Sequence, residues 1–404
     1  MIPHQEGTQF IASTQAADRS GCVSGAALNR VLILSASAGA GHVRAAQALE
    51  RAFVATGRVR EVRHVDILQY TSKLFRRLYA EAYLDLVNRA PEVLGWLYDY
   101  FDVPWKHERL RLALDKLNTT RFVRLLEREQ PDWAVSTHFL PAEIIAWLRS
   151  KGRLATRQAI VVTDFDVQGM WLTRHVDRYF VALDETRAHL ERLGVPPAAI
   201  TVSGIPIDPV FAVPKDARAM RAKHGLAPDR TTILVSAGGF GVGPVEALIH
   251  MLLELQHPAQ LVVICGRSEA LKRRLDELAA TRPPHLSPVL HVVGYTTEMD
   301  EYMAAADLLV GKPGGLTSSE ALARGLALAI VHPIPGQEER NADHLLEAGV
   351  AIRCNNLPVL AYKIDRLLDD PARLAAMRTN ARRLARPHAA RDIAMTLLDA
   401  ERPG

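Results

Sequence analysis

A histidine in a glycine-rich turn is the first residue whose type and position suggest chemistry. His42 follows the turn 37–41 (SAGAG), which joins an apolar strand pattern at 31–36 to the helical pattern HVRAAQALERAF. Small residues let backbone amides approach a ligand, and a helix N-terminus favours an anion. An imidazole that titrates near neutral pH suits general-base catalysis, so we predict that His42 faces a cleft. The alternative is a histidine that caps or packs at the turn.

Two later turns are also rich in glycine and also lie between a strand and a helix. The turn 236–244 is predicted to approach a phosphate closely through Gly238, Gly239, Gly241 and Gly243. The turn 311–321 is predicted to direct amides and hydroxyls at a diphosphate, from Gly314, Gly315, Leu316, Thr317 and Ser318. This last turn is not a Walker loop, because Lys312 precedes the glycines. Nor is 37–44 a dinucleotide fingerprint, since Arg44 stands where a third glycine is needed.

Glu320 lies one helical turn beyond the glycines of the third turn. Its carboxylate could accept hydrogen bonds from a ribose diol. The alternative is a capped helix, in which Thr317 and Ser318 satisfy the first amides and Glu320 completes a capping box.

Polar residues also follow two other predicted strands. In the cluster 333–341 (PIPGQEERN), Gln337 and Glu338 could hydrogen-bond sugar hydroxyls, unless the cluster is only a solvated loop. Asp164 closes the run AIVVTD and Asp166 follows it, and we consider both as secondary candidates for orienting His42 or an acceptor. The alternative is capping of a polar turn, which is slightly more expected for Asp166 than for Asp164.

The elements that must position these turns alternate between apolar strands and helices. The first half has strand patterns at 31–36, 62–67, 133–138, 159–164, 178–184 and 200–204. The second half has them at 231–239, 261–266, 290–295, 307–312 and 328–332. This alternation predicts an α/β chain with parallel sheets covered on both faces. We expect two Rossmann-like halves, joined by the proline-rich segment 204–216, with ligands bound at the carboxyl ends of the strands.

Composition excludes several function classes. The 404 residues are 48% hydrophobic and 23% charged, which is globular and sufficient for two cores. A formal net charge of +4 does not indicate a nucleic-acid partner. The three cysteines have no CxxC spacing and favour a reducing, cytosolic setting. Neither a run of roughly 18 apolar residues nor a signal-peptide core occurs, so we expect neither membrane insertion nor export.

Seven blocks of sequence between about residues 30 and 390 resemble one known family. They are VLILSASAGAGHVRAAQAL, APEVLGWLYDY, VVTDFDVQGMW, VDRYFVALDET, GGFGVGP, GYTTEMDEYMAAADLLVGKPGGLTSSEAL and PGQEERNADHL. In this order they resemble monogalactosyldiacylglycerol synthases and bacterial processive diacylglycerol glycosyltransferases, of glycosyltransferase family 28. The second half is more distantly similar to the lipid-linked peptidoglycan N-acetylglucosaminyltransferase. The resemblance implies a GT-B fold, in which two Rossmann-like domains face each other across a cleft.

The resemblance also implies roles for individual residues. The uracil of a UDP-sugar would contact Gly294, Tyr295 and Thr296, and its ribose would contact Glu320. The turns at 238–243 and 314–318 would hold the diphosphate, and the sugar would contact Gln337, Glu338 and Asn341. A lipid acceptor would enter from the first half, near Gly41 and His42. Gln168 stands where some relatives have a histidine, so a catalytic use of that position is not expected.

The activity implied is an inverting transfer of glucose or galactose from a UDP-sugar to diacylglycerol or a glycosyldiacylglycerol. Helix N-termini and glycine amides can stabilise the leaving diphosphate, so no metal and no further cofactor are expected. The partners would be UDP-glucose or UDP-galactose, a glycolipid acceptor and an anionic membrane surface, without nucleic acid. Two alternatives remain: a GT-B transferase or epimerase with a substrate other than diacylglycerol, and a nucleotide-sugar sensor without turnover.

Peripheral binding to the cytoplasmic face of a membrane would fall to the segment 71–111. Its helical pattern 71–87 carries an apolar stripe beside basic residues, and aromatic and basic residues follow. The contacts we predict are Phe75, Arg76, Arg77, Trp96 and Trp105. The alternative is an ordinary amphipathic helix packed on the sheet.

We divide the chain into four parts. These are a flexible leader at 1–28, an acceptor and membrane-facing half at 29–205, a UDP-sugar-binding half at 206–390, and a helix end and tail at 391–404. The last helix would cross back onto the first half, as the resemblance implies.

Overall fold

The computed structural model describes residues 28–37, 39–72, 75–76, 100, 102, 118–236, 245–283 and 286–400. Within these residues the chain forms two six-stranded sheets in which neighbouring strands are parallel. Each predicted strand is present, and the predicted α/β class with two parallel sheets is confirmed.

The first sheet has the strand order β2-β1-β3-β4-β5-β6. Its strands are β1 (Leu28–Ser35), β2 (Val59–Asp66), β3 (Trp133–Ser136), β4 (Arg157–Val161), β5 (Arg178–Val181) and β6 (Ile200–Val202). The helices of this half are α1 (Ala40–Thr56), α2 (Thr120–Glu129), α3 (Phe139–Ser150) and α4 (Asp184–Arg192). Short 3-10 helices lie at Ile67–Tyr70, Gly169–Trp171 and Pro197–Ala199.

The second sheet has the order β12-β11-β10-β7-β8-β9. Its strands are β7 (Thr231–Ser236), β8 (Ala259–Ile264), β9 (Val289–Val293), β10 (Leu308–Gly311), β11 (Ala327–Ile330) and β12 (Ala351–Arg353). The helices are α5 (Ala217–Lys223), α6 (Val245–Leu252), α7 (Glu269–Thr281), α8 (Met299–Ala305), α9 (Gly315–Ala323), α10 (Gln337–Glu347), α11 (Leu360–Leu368), α12 (Pro371–Leu384) and α13 (Ala389–Asp399). Short 3-10 helices lie at Pro209–Ala212 and Leu357–Val359.

The candidate turns lie where the order of strand addition in each sheet changes direction, which is the topological switch point of the sheet. In the first sheet β1 lies between β2 and β3, and in the second β7 lies between β8 and β10. Loops that leave adjacent strands at such a point diverge to opposite faces, and the crevice between them is where ligands bind in open α/β sheets. The loops after β1 and β3 lead to His42 and Thr137, and the loop after β10 leads to Gly314.

Apolar side chains pack on both faces of each sheet because the strands are almost wholly buried. Val31 and Ile33 of β1 face α1, whereas Leu32 and Leu34 face the core that includes α2 and α3. A further cluster joins the two halves, since Ala45 and Phe165 of the first half pack with Leu316, Ala342 and Leu345 of the second. The two halves therefore pack against each other through one apolar cluster.

The closing helix α13 packs against the first half. Ala390, Ile393, Ala394, Leu397 and Leu398 belong to the same core as residues of β1 and α1. The first and last described elements, β1 and α13, therefore pack in the same half. The numerical domain bounds stay a prediction.

Most of the expected runs extend one to three residues beyond the observed strands, and two differences concern the site or the sheet order. The run 159–164 was expected to be a strand throughout, but β4 ends at Val161. The residues after it leave the sheet, and the backbone carbonyl of Thr163 and the carboxylate of Asp164 contact the second half. β12 was not expected, because three residues are too short to show a period. In the described part of the chain, we find no helix with the length and apolarity needed to span a bilayer.

Candidate active site

His42 lies in the first turn of α1 and is held by two threonines. Its Nδ1 is 2.9 Å from the backbone carbonyl oxygen of Thr137 and 2.9 Å from the hydroxyl oxygen of Thr163. A carbonyl oxygen can only accept a hydrogen bond, so Nδ1 carries the proton in the neutral ring. The lone pair of His42 is therefore on Nε2.

The surroundings of His42 keep its ring neutral. Burial lowers the pKa of His42 to about 4, and the hydrogen bond to Thr137 only partly opposes this shift. The ring of His138 meets it edge-on at a centroid distance of 4.8 Å, and Trp171 lies at 6.3 Å. A neutral imidazole with a free lone pair can accept a proton from a substrate hydroxyl.

The N-terminus of α9 lies directly beside the N-terminus of α1. A Cβ atom on Gly41 would lie 3.7 Å from the side chain of Leu316, and Arg44 pairs with Glu320 further along both helices. Residue numbers rise together along both helices from the first contact to the second. The two helices are therefore roughly parallel, and their N-termini lie at the same end. A Cβ atom on Gly315 would overlap the carbonyl oxygen of Thr163, so glycine is required for this approach.

Neither of these helix N-termini is capped by a side chain. The N-cap residues are Gly39 and Gly314, and neither first turn contains an acidic residue. The alternative of a capping box completed by Glu320 is therefore wrong, because its carboxylate pairs with Arg44 instead. Uncapped amides of two neighbouring helices favour a bound anion.

Two buried polar atoms of α9 lack partners. The hydroxyl oxygen of Ser318 and Oε2 of Glu320 find no hydrogen-bond partner among the residues that the structure describes. Ser318 is 0% exposed and Glu320 1%. An unsatisfied buried polar atom costs about 1–3 kcal/mol, so these atoms fit a site that is completed by a polar ligand.

Glu320 is paired across the two halves. Its Oε1 accepts a hydrogen bond from Arg44 of α1. Burial raises the pKa of Glu320 to about 7, although the positive charge of Arg44 opposes the shift.

Asp164 contacts the second half and not His42. Its Oδ1 accepts a hydrogen bond of 3.0 Å from the Asn341 amide, and its Oδ2 accepts one from Gln337. Burial raises its pKa to about 6, against the effect of these two donors. The orienting contacts of His42 come from Thr137 and Thr163, so Asp164 is placed to bridge the halves.

Glu338 lies next to this bridge at the start of α10. Its Oε2 accepts a hydrogen bond of 2.7 Å from the backbone amide of Ile334, and its Oε1 faces Gly314. Burial raises the pKa of Glu338 to about 7, although Lys312 opposes the shift. The three predicted sugar-binding residues, Gln337, Glu338 and Asn341, therefore lie together beside Asp164 and the N-terminus of α9.

The predicted uracil contacts lie at the end of β9. Tyr295 is 60% exposed, and the guanidinium of Arg267 lies over its ring at 5.3 Å. The hydroxyl of Thr296 accepts a hydrogen bond of 3.0 Å from the amide of Glu298. An exposed aromatic ring in this loop is available for stacking.

Several predicted residues are not described by the structure or differ from their expected setting. Those outside the described residues are Gly238, Gly239, Gly241, Gly243, Arg77, Trp96 and Trp105. Phe75 is half-buried and packs against the core on one face of the first sheet, whereas Arg76 is exposed. A membrane contact of Phe75 and the alternative of an amphipathic helix packed on the sheet both stay predictions, because most of the segment 71–111 lies outside the described residues.

One group of potential metal ligands occurs among the described residues. His224, Glu298 and Glu301 bring ligand atoms within 4.8 Å of one another. Lys223 contacts both carboxylates, at 2.9 Å and 2.6 Å, and Lys215 lies 3.1 Å from Glu301. Ammonium groups already neutralise these carboxylates, so the group does not fit a cation site.

Sequence reasoning missed Thr137, Thr163 and Arg44 as parts of this site. Each threonine is the last residue but one of its run, WAVSTH or AIVVTD, and lies just beyond the carboxyl end of β3 or β4. A polar residue at that end of a parallel strand is a signal that could have found them. Nothing local to Arg44 reveals its partner 276 residues away.

Two family models match this chain in succession. Residues 42–207 match the model described as monogalactosyldiacylglycerol (MGDG) synthase, and residues 216–384 match the model described as glycosyl transferases group 1. A processive diacylglycerol beta-glucosyltransferase of Bacillus mycoides (strain KBAB4) is 31% identical over 370 residues, which cover 91% of this chain and 93% of that protein.

Solved structures with low sequence identity share the fold. MurG of Acinetobacter baumannii aligns with a TM-score of 0.59 at 17% identity, over 91% of this chain and 99% of that one. The Staphylococcus aureus MnaA–UDP structure aligns with a TM-score of 0.59 at 12% identity, over 93% of this chain and 99% of that one. The predicted GT-B arrangement of two Rossmann-like domains is therefore confirmed.

Proposed function

Because the chain belongs to the family of processive diacylglycerol beta-glucosyltransferases, we propose that it transfers glucose from UDP-glucose to diacylglycerol. Membership of this family makes the chain a glycolipid-synthesising glycosyltransferase of the GT-B fold. The sugar, the stereochemistry, the metal requirement and the place of action are the parts that we propose. Galactose is the alternative sugar, because the two hexoses differ in the orientation of one hydroxyl.

One observation carries this proposal. The lone pair of His42 Nε2 belongs to the first half, while the unpaired Ser318 hydroxyl and Glu320 Oε2 belong to α9 of the second half, whose N-terminus has no side-chain cap. The start of α1 packs beside the start of α9. A general base thus lies next to an anion site. Transfer of the glycosyl group of a nucleoside diphosphate sugar requires this arrangement.

The reaction proposed is a single displacement with inversion. The acceptor hydroxyl oxygen bonds to the anomeric carbon of the donor, and its proton passes to Nε2 of His42. The bond between that carbon and the diphosphate oxygen breaks, and its electron pair leaves with UDP. Thr137 and Thr163 fix the ring so that Nε2 remains the accepting nitrogen.

The donor would extend across the second half in the order of its contacts. The uracil is assigned to the exposed ring of Tyr295 and to Thr296, and the ribose diol to Glu320. The diphosphate is assigned to the amides of Gly315 and Leu316 and to Ser318, together with the turn 236–244. The hexose is assigned to Gln337, Glu338 and Asn341.

We propose that this chemistry proceeds without a metal ion. The negative charge that develops on the leaving diphosphate is matched by the amides of two adjacent helix N-termini, which are fixed before the reaction. Addition of EDTA to the purified protein should therefore leave the transfer rate unchanged. A loss of activity that Mg²⁺ or Mn²⁺ restores would overturn this point.

We further propose that the protein acts at the cytoplasmic surface of a membrane, through the segment 71–111. The exposed side chain of Arg76 and the aromatic and basic composition of the segment support this assignment. Flotation with vesicles of anionic lipid should be reduced by Arg76→Glu and by Trp105→Glu. Arg128→Glu is the matched control, since Arg128 is an exposed arginine at the end of α2. Equal flotation of all variants would refute a surface role for this segment.

The test of the activity is product formation on vesicles. Purified protein is incubated with diacylglycerol vesicles and labelled UDP-glucose or, separately, UDP-galactose, and the lipids are then separated. We expect a labelled glucolipid that is lost in His42→Ala and Glu320→Ala, with the number of sugars per lipid reporting processive extension. No labelled lipid, with UDP-glucose binding intact by calorimetry, would favour a different acceptor or the sensor alternative. Release of a free altered UDP-sugar would favour the epimerase.

A further inference from the structure

Arg340 lies on the helix of the sugar-binding residues, but its side chain bonds to the first half. Its Nη1 is 2.9 Å from Oδ2 of Asp166, and its Nη2 is 2.6 Å from Oδ2 of Asp102. All three side chains are partly buried, with about a third or less of each exposed. One guanidinium group therefore bridges two carboxylates of the other half.

Asp102 is itself fixed to the first half. Its Oδ1 accepts a hydrogen bond of 2.9 Å from the backbone amide of Gly169. A Cβ atom on Gly169 would lie 2.5 Å from the backbone carbonyl oxygen of Asp102, so the two backbones are in close contact. The carboxylate is thus oriented before it meets Arg340, which lowers the entropy lost when the ion pair forms.

The remaining contacts of α10 follow the same face of the helix. Gln337 and Asn341 bond to Asp164, and the ring of His344 stacks on Phe165 at 5.4 Å. Residues 337, 340, 341 and 344 recur at the spacing of one helical face. The orientation of α10 is therefore determined by the loop after β4 and by Asp102.

We propose that Arg340 is a positioning residue for the donor sugar. By bridging Asp102 and Asp166 it holds α10 in register with the first half, so that Gln337 and Glu338 meet the hexose in one orientation. This inference rests on the proposed function, because it assumes that α10 carries the hexose contacts. It also connects a residue of the segment 71–111 to the sugar end of the donor site.

The UDP end of the donor and its hexose end are assigned to different elements of the second half. The uracil, the ribose and the diphosphate are assigned to β9 and α9, whereas the ion pairs of Arg340 are formed with Asp102 and Asp166. Loss of Arg340 should therefore weaken binding of UDP-glucose and leave binding of UDP unchanged. If Arg340 had only a structural role, its loss would weaken the binding of UDP and of UDP-glucose equally.

The experiment compares Arg340→Met with Asp102→Asn, with their double variant and with Arg353→Met. Arg353 is the matched control, since its ion pair of 2.6 Å with Asp343 of α10 is exposed to solvent. The affinities of the full-length variants for UDP and for UDP-glucose are measured by calorimetry, and kcat and KM by lipid glycosylation. The ion pairs of Arg340 are partly exposed, so solvent weakens them and a moderate loss of affinity is expected.

We expect Arg340→Met to raise the Kd and KM for UDP-glucose about tenfold, with the Kd for UDP changed less than twofold. Asp102→Asn should cause a smaller loss, and the double variant should lose less than the sum of the two because the residues share one interaction. Arg340→Lys should restore only part of the affinity, since an ammonium group lacks the planar fork that bridges two carboxylates.

Two results would overturn the inference. One is an Arg340→Met variant that binds UDP-glucose like Arg353→Met, and the other is an equal loss of affinity for UDP and UDP-glucose. Failure of the proposed function is a separate result, because it would appear as wild-type protein that labels no lipid. The calorimetric comparison tests Arg340 in either case.

Discussion

Arg44 of the first half forms an ion pair with Glu320 of the second half. The two residues are 276 positions apart and lie on the adjacent helices α1 and α9. The Glu320 side chain is 1% exposed, whereas that of Arg44 is 41% exposed. A residue of the acceptor half therefore influences the charge on the carboxylate that we assign to the donor ribose.

Replacing Arg44 by methionine should weaken UDP binding in a pH-dependent way. Without the guanidinium, the pKa of Glu320 would rise above its value of about 7, and the neutral form would predominate at pH 7. A carboxylate accepts stronger hydrogen bonds than a carboxylic acid, so we expect a loss of about tenfold at pH 7 and recovery at pH 9. Calorimetry with UDP at both pH values tests this, with Arg58→Met as control because Arg58 pairs with Asp399 away from α9. The same loss at both pH values would contradict it.

Glu320 should also make the ligand-free protein less stable as the pH rises. Its folded pKa of about 7 lies above the ordinary glutamate pKa of 4.5, so the native state binds more protons than the unfolded state between these values. Stability from this group is therefore full below about pH 4.5 and is lost as the pH approaches 7. The contribution is at most about 3 kcal/mol.

The measurement is denaturant unfolding of wild type and Glu320→Gln between pH 4.5 and pH 8. The difference between the two free energies of unfolding removes the opposite contribution of His42, whose pKa is lowered. We expect Glu320→Gln to gain stability relative to wild type as the pH rises. A constant difference would show that Glu320 titrates normally.

His42→Ala should reduce kcat and leave the affinity for UDP unchanged. General-base catalysis contributes about 10²–10⁴-fold, and we expect a loss in this range. Thr163→Val should cause a smaller loss of about tenfold, since the Thr137 carbonyl still holds Nδ1. Single-turnover rates and UDP calorimetry measure the two effects separately, and His388→Ala serves as control because His388 is exposed beside α13. A His42→Ala variant that turns over like wild type would exclude this base.

Gly315→Ala should impair transfer far more than Gly314→Ala, although the two glycines are adjacent. A Cβ atom at 315 would overlap the Thr163 carbonyl oxygen, whereas one at 314 would lie 3.6 Å from Glu338 in ordinary contact. The halves would have to separate at α9, and a displacement of about 1 Å at a reacting centre can cost about 10²-fold in rate. Values of kcat/KM for the two variants test this, together with thermal unfolding to verify folding. Equal activities would show that the contact with Thr163 is not needed for transfer.

The sequence predicted the fold well because its signals are local and repeated. Runs such as VLILSA and LVVICG, each followed by a turn and a helical pattern, are sufficient to indicate parallel strands. β12 was missed because an edge strand of three residues is too short to show a hydrophobic period. The predicted β4 was too long because no glycine or proline separates Thr163 and Asp164 from the strand.

The candidate site was predictable in its components but not in its connections. The types of His42, Glu320 and Gln337 suggested chemistry, and family resemblance added their expected roles. The pairing of Asp164 with Gln337 and Asn341, and of Arg44 with Glu320, depends on how the two halves pack. The sequence spacing within one half contains no information on how the halves pack, so these contacts could be identified only from the structure.

The position of α13 has a consequence for how the protein is made. Five apolar residues of this helix complete the core that covers β1 and α1. Domains usually fold in the order in which the ribosome releases them. Here the first half cannot finish burying its apolar surface until residues 389–399, which follow the second half in the chain, have left the ribosome. The nascent first half is therefore incomplete throughout translation of the second, and it is a natural client for chaperones during that interval.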